Sequence, residues 1–121
     1  MERIAEGEYA VMEVLWDKAP LTAAEVADRV PADREWSLAT VKTMLSRLLA
    51  KGALAHEQDG RRYLSRPAIR REDYVAEESG RLLDRMFDGR VTPLVAHLAA
   101  RDRLSPEDIA EIEALLKALK S

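Results

Sequence analysis

The chain has 121 residues, of which 47% are hydrophobic, and its formal net charge is −3. A chain of this length can bury one modest core, with a helical extension beside it. It contains no cysteine, which excludes disulfides, zinc–thiolate sites and thiol nucleophiles. No apolar run approaches the ~20 residues of a bilayer span, and the N-terminus lacks a signal-peptide pattern, so we expect a cytoplasmic protein without membrane insertion.

Charge is strongly segregated along the chain. Residues 1–36 carry four basic and nine acidic side chains, and residues 72–121 carry seven basic and eleven acidic ones. Residues 37–71 carry eight basic side chains and only two acidic ones, Glu57 and Asp59. Because a phosphate backbone responds to the local patch and not to the net charge, the middle segment indicates a polyanionic partner.

Two helices are predicted at the start of the chain. Apolar residues with the one-face spacing of an amphipathic helix predict the first over about residues 5–17, through Ala5, Tyr9, Met12 and Trp16. Thr22 and Glu25 form a capping box, in which each side chain accepts the backbone N–H of the other residue. This box predicts a second, short helix that ends near Val30.

A third helix is predicted from its cap, Ser37, to Lys51, with Gly52 as the left-handed residue that ends it. At about 100° per residue, its core side holds Leu38, Val41, Met44, Leu45, Leu48 and Leu49. The opposite side has no acid, and it holds Ala39, Thr40, Thr43, Ser46 and Arg47, with Lys42 on the flank. Short hydroxyl side chains let a helix approach base edges, and arginine can fork onto guanine. The alternative is an ordinary solvated face that happens to lack acids.

The pair Asp59-Gly60 predicts a β-hairpin with strands over 53–58 and 61–65. Arg61 and Arg62 then lie at the tip of a "wing" that follows a helix suited to DNA, so we predict that both contact phosphates. Tyr63 is expected to pack inward.

After the hairpin the chain is predicted to be helical, with one helix over about 70–88 and others opening at Thr92-Pro93 and Ser105. Three helices in fifty residues cannot make a self-sufficient core, so their apolar side chains predict a homodimer interface. The predicted interface residues are Leu82, Leu83, Met86, Leu94, Val95, Leu98, Ile109, Ile112, Leu115, Leu116 and Leu119. The predicted domains are 1–68 and 69–121.

Enzyme chemistry and metal binding have little support in the sequence. His56 and His97 are the only histidines, and neither has a second ligand at metal-binding spacing. His56 is expected to be a structural or surface residue, and His97 to lie on the dimer surface. No carboxylate pair sits in a recognisable apolar setting, and no phosphate-binding glycine loop is present. We therefore expect no enzyme, no metal and no cofactor.

Together these patterns predict an α+β, mostly helical fold: a winged helix-turn-helix DNA-binding domain followed by a three-helix dimerisation domain. Thr40, Thr43, Ser46 and Arg47 are predicted to enter the major groove, while Lys42, Arg61 and Arg62 neutralise phosphates of double-stranded operator DNA. The alternative is a winged-helix protein-interaction module, whose same face docks an acidic protein without sequence-specific DNA binding.

Several segments, in this order and spacing, resemble the BlaI/MecI family of bacterial winged-helix repressors over nearly the whole chain. They are residues 4–16, 36–43 and 47–52, and in the tail Leu94-Val95 and residues 104–109. The resemblance implies a transcriptional repressor whose homodimer, joined through the C-terminal helices, occupies a palindromic operator. It also implies that Thr40, Lys42, Thr43 and Arg47 face DNA, whereas Ala39 stands where some members have lysine.

The resemblance also bears on how repression is relieved, through a signal that acts on the dimerisation domain. In the penicillinase and methicillin-resistance branch, a membrane sensor protease triggers cleavage at an Asn-Phe bond in the tail. The aligned position here holds His97-Leu98. The copper-responsive branch uses C-terminal cysteines, which this chain lacks.

Overall fold

A computed structural model describes residues 2–121 of the chain. Over these residues six helices and one antiparallel hairpin follow one another: α1 (Glu6–Asp17), α2 (Ala23–Arg29), α3 (Leu38–Ala50), β1 (Leu54–Asp59), β2 (Arg62–Pro67), α4 (Arg71–Met86), α5 (Val91–Ala100) and α6 (Pro106–Lys120). The predicted class, α+β and mostly helical, is confirmed. The described chain forms two compact units, one up to Tyr74 and the other Val75–Ser121.

The predicted caps fix where α2 and α3 begin. The Thr22 backbone N–H donates to Glu25 Oε1 at 2.9 Å, and the Glu25 N–H donates to Thr22 Oγ1 at 3.2 Å. At the start of α3, the Thr40 N–H donates to Ser37 Oγ at 3.1 Å. Gly52 ends α3 with a φ of 80°, in the left-handed region where a side chain would be strained. The ends of α3 are therefore set by its own sequence.

The hairpin turn differs by one residue from the prediction. Asp59 pairs with Arg62 in the β-ladder, so the turn consists of Gly60 and Arg61 alone. Gly60 takes the positive φ of 64° that such a tight turn requires. Arg61 is therefore at the tip as predicted, whereas Arg62 belongs to β2.

The core of the first unit lies between α1, α2, α3 and the base of the hairpin. Its fully buried side chains include Met12, Leu15, Leu21, Val26, Val41 and Leu48. Leu38 and Leu49 were predicted on the core side of α3, but they are 42% and 37% exposed. They lie at the edge of the apolar band, about 60° and 80° from Val41 around the helix, and the buried part of that band is narrower.

Three aromatic rings extend the first unit beyond the hairpin. The rings of Tyr9, Trp16 and Tyr74 pack with centroid distances of 5.6 to 6.0 Å. The Trp16 indole N–H also donates to the backbone oxygen of Ile69 at 3.0 Å. These contacts hold the first turn of α4 against α1, and the first unit accordingly reaches Tyr74, past the predicted boundary at residue 68.

A buried ion pair fastens the C-terminal end of α3 to α1. Glu8 is 2% exposed, and its Oε1 accepts hydrogen bonds from Lys51 Nζ at 2.5 Å and the Ala5 N–H at 2.9 Å. Burial of the carboxyl group opposes its ionisation, but the Lys51 ammonium and the Ala5 N–H outweigh this effect and hold the pKa of Glu8 below its ordinary value. Lys51, although it belongs to the basic segment, is thus engaged within the protein.

Glu8→Gln is expected to lower the free energy of unfolding at neutral pH, because it leaves the Lys51 ammonium without its partner. Because the pKa of Glu8 is lowered in the folded state, its stabilisation is complete above the ordinary value of 4.5 and is lost as the pH falls through the lowered value. The difference in the free energy of unfolding between wild type and variant, measured by urea unfolding, should therefore decrease from pH 7 to pH 3. Glu57→Gln, which breaks an exposed pair with Arg66, should change little at any pH.

Candidate nucleic-acid interface

The outward side of α3 presents the predicted short polar residues to solvent. Lys42, Thr43, Ser46 and Arg47 are all exposed, whereas Thr40 is half-buried at the flank. The Thr40 hydroxyl lies 3.1 Å from that of Ser37, and the Thr43 hydroxyl donates to the backbone oxygen of Ala39 at 3.0 Å. Thr43 therefore offers a methyl group and acceptor lone pairs outward, and Thr40 helps to fix the start of the helix.

Ion pairing divides the eight basic side chains of residues 37–71 into two groups. Five of them are paired with acidic side chains: Lys51 with Glu8, Arg62 with Asp59, Arg66 with Glu57, Arg70 with Glu72 and Arg71 with Glu13. Among the residues that the structure describes, Lys42, Arg47 and Arg61 have no such ion pair. These three, two on α3 and one at the hairpin tip, carry the net positive charge that is free to meet a partner.

Arg62, predicted to contact phosphate, has a partner on the opposite strand. Its guanidinium donates to Asp59 at 2.7 Å, and this hydrogen bond raises the pKa of Arg62. Both side chains are about three-fifths exposed, with values of 60% and 62%. Water therefore screens the two charges, and the attraction between them is weak. Its role towards phosphate stays a prediction.

The hairpin places two aromatic side chains on one face. In the ladder His56 lies opposite Ser65 and Gln58 opposite Tyr63, so all four share a face. Ser65 is buried, but Tyr63 is 62% exposed, which makes the prediction that it packs inward wrong. Tyr63 is on the inward face, but two positions nearer the turn than Ser65 its ring stays largely open to solvent.

His56, Tyr63 and α3 border one concave surface, which we call the wing cleft. It has a volume of about 210 Å³ and is lined by Ala23, Lys42, Leu45, Ser46, His56, Tyr63 and Ser65. The His56 and Tyr63 ring centroids are 5.9 Å apart. Neither residue was predicted to take part in a binding site.

The second unit exposes most of its apolar side chains. Throughout residues 75–121 no side chain is buried. Six of the predicted dimerisation residues are exposed, namely Leu82, Met86, Ile109, Leu115, Leu116 and Leu119. The other five, Leu83, Leu94, Val95, Leu98 and Ile112, are half-buried. In α5, His97 is exposed beside half-buried Leu98.

Residues 2–121 contain no group of three or more His, Cys, Asp or Glu side chains that could hold a metal ion. In the same part of the chain, no helix has both the length and the apolar character needed to cross a bilayer.

Comparison with known proteins identifies the family. The family model for penicillinase repressors matches residues 4–118. The chain belongs to the penicillinase repressor family. It is 34% identical over 119 residues to the penicillinase repressor of Bacillus licheniformis, covering 98% of this chain and 93% of that protein. It is 24% identical to the methicillin resistance regulatory protein MecI of Mammaliicoccus sciuri, covering 93% of this chain and 92% of that one.

Solved structures of the family agree with the fold. The monomeric form of Bacillus licheniformis BlaI, determined in complex with the blaP half-operator, is 37% identical with a TM-score of 0.52. The match covers 60% of this chain and 89% of that chain. The predicted winged helix-turn-helix fold of the first unit is confirmed, because its three helices and hairpin are those of a penicillinase repressor family DNA-binding domain.

Proposed function

We propose that this chain is a dimeric, sequence-specific DNA-binding transcriptional repressor that occupies a palindromic operator. The observation that carries the proposal is the outward side of α3, where Lys42 and Arg47 form no ion pair within residues 2–121 and flank exposed Thr43 and Ser46. Family membership agrees with it, since a relative was solved on its half-operator. Because its proposed target is the duplex DNA of a bacterial cell, we expect the protein to act in the cytoplasm.

On DNA, α3 would lie in the major groove with its ends held by Ser37 and Gly52. Arg47 carries two parallel N–H donors that match the O6 and N7 acceptors of guanine. Thr43 and Ser46 are short enough to let the helix backbone approach the base edges, with Thr40 at the flank.

The hairpin would cross the neighbouring sugar–phosphate backbone. Arg61 at its tip and Lys42 on the flank of α3 supply positive charge to phosphates. Arg62 joins them when its exposed pair with Asp59 opens.

Dimerisation is assigned to the second unit because its 47 residues, 75–121, bury no side chain. Isolated helices with exposed apolar stripes gain stability only by covering them. In α6 the spacing of Ile109, Ile112, Leu115, Leu116 and Leu119 puts all five within about 120° of the helix surface. A second copy of the chain offers the same stripe, so a symmetric pair covers both.

Relief of repression would follow from weakening the dimer, since two half-sites bound together hold the protein far more tightly than one. A sensor protease could act at the family position, here His97-Leu98. Because both residues lie inside α5, cleavage there would first require that helix to open locally.

The test is selection of bound duplexes from a random-sequence pool by the full chain, followed by titration of the enriched sequence, the "selected duplex". We expect a palindrome. Lys42, Arg61 and Arg62 give six phosphate contacts per dimer, so log affinity should fall against log salt with a slope of about −5. A pool that shows no enrichment, with binding indifferent to salt, would overturn the proposal and favour the protein-interaction module.

A further inference from the structure

We infer that His56 and Tyr63 form, with Lys42 and Ser46, a site in the wing cleft for one phosphate of the bound duplex. This inference rests on the proposed function, because it assumes that α3 lies in the major groove. It assigns DNA contact to two neutral side chains of the hairpin in addition to the arginines near its tip.

The chemistry of the cleft favours an anionic oxygen ligand. Its lining contributes the Lys42 ammonium, the Ser46 and Tyr63 hydroxyls and the His56 imidazole, each of which can donate a hydrogen bond. Among the described residues that line it there is no carboxylate. The Lys42 ammonium is the only formal charge among these four groups, so a ligand that accepts hydrogen bonds and carries negative charge fits them, and a cation does not.

The position of the cleft favours a phosphate of the DNA backbone. Lys42 and Ser46 come from the flank of α3 and His56 and Tyr63 from the hairpin, so a ligand here would touch both elements. With α3 in the major groove and the hairpin across the neighbouring backbone, as proposed above, that backbone passes close to both elements. Tyrosine is among the side chains that bind phosphate oxygens in such interfaces.

The exposure of Tyr63 is consistent with a partner. A phenol ring that is 62% exposed, with its centroid 5.9 Å from that of His56, gives the free protein little stability. The opposite face of the hairpin instead carries the two charged pairs, Asp59 with Arg62 and Glu57 with Arg66. The hairpin thus has one face of internally paired charges and one face of neutral polar side chains, on which Gln58 donates to the backbone oxygen of Gly60.

Tyr63→Phe on the full chain tests the site with the smallest change. Loss of one hydrogen bond to phosphate in each half-site should weaken binding of the selected duplex about threefold to tenfold per half-site. The slope against salt should stay unchanged, because a neutral donor releases no counterion. Arg66→Gln, which removes a cation from the opposite face, should weaken binding less than Tyr63→Phe does.

A neutral phosphate analogue identifies the contact directly. Methylphosphonates are placed singly along the selected duplex. At one position the substitution should weaken binding by the wild type, and it should weaken binding by Tyr63→Phe or His56→Ala much less. If the loss of binding caused by the methylphosphonate and the loss caused by the variant were additive at every position, the wing-cleft site would be wrong. If Arg47→Ala still changed base preference in that case, the proposed function would stand and only the wing-cleft site would fail.

Discussion

Leu116→Glu combined with Leu119→Glu is expected to convert the dimer to a monomer and to weaken binding of a palindromic duplex by about 10²–10⁴-fold. The two leucines are 50% and 81% exposed, so the substitutions remove little packing from the folded monomer. At a two-fold interface between two such stripes, however, each glutamate would be buried in apolar surroundings, where an unpaired charge is costly. Sedimentation measures the oligomeric state. Titration of whole and half palindromes measures how much affinity is gained when two half-sites are bound together.

The control is Lys117→Glu, which changes the net charge by the same amount on the same helix. Lys117 lies outside the apolar stripe of α6, about 140° around the helix from Ile112, and should leave the dimer intact. Binding of a half palindrome should be similar for all variants. If the double variant still sedimented as a dimer, or bound the whole palindrome as tightly as wild type, the second unit would not be the dimerisation domain.

Arg47→Ala is expected to cost about 1–3 kcal/mol of binding for each half-site of the selected duplex and to relax the preference for guanine at one position of each half-site. The exposed guanidinium forms no ion pair within the described chain. Its Coulombic attraction to Glu8 is the smallest of the causes that lower the pKa of Glu8, and Lys51 keeps its ion pair with Glu8, so removal of Arg47 should leave the fold intact. A panel of duplexes, each with one base pair changed, measures the preference. In this panel the variant should bind the guanine duplex and its substituted version almost equally.

Arg61→Ala is the matched control, since it removes the same charge from the hairpin tip. It should weaken every duplex in the panel by a similar factor and make the salt slope shallower by about one for each phosphate that is no longer neutralised. If Arg47→Ala behaved in the same way as Arg61→Ala, Arg47 would bind a phosphate and would not read a base.

Local sequence rules predicted the element order well because the signals are short-range. The capping residues Thr22 and Ser37 and the left-handed Gly52 act within one turn of helix, and all three occur as expected. The hairpin turn is displaced by one residue because the ladder accommodates Asp59 opposite Arg62.

Properties that depend on tertiary packing were harder to predict. Leu38 and Leu49 are apolar and close to the core side of α3, but a residue at the edge of the band is buried only where a neighbouring element covers it. Tyr63 shares its face of the hairpin with buried Ser65, and the sequence does not indicate how far along the strand that cover extends. Ion pairs between residues far apart in the sequence, such as Glu8 with Lys51, cannot be deduced by counting the charges in each segment.

Chemical protection of the selected duplex tests most directly whether α3 lies in the major groove. Dimethyl sulfate methylates guanine N7, which is exposed in the major groove, and adenine N3, which faces the minor groove. We predict that the bound protein protects guanine N7 at the centre of each half-site, that Arg47→Ala abolishes one such protection, and that adenine N3 in the same segment stays reactive. A nuclease footprint without any protection of guanine N7 would contradict the account.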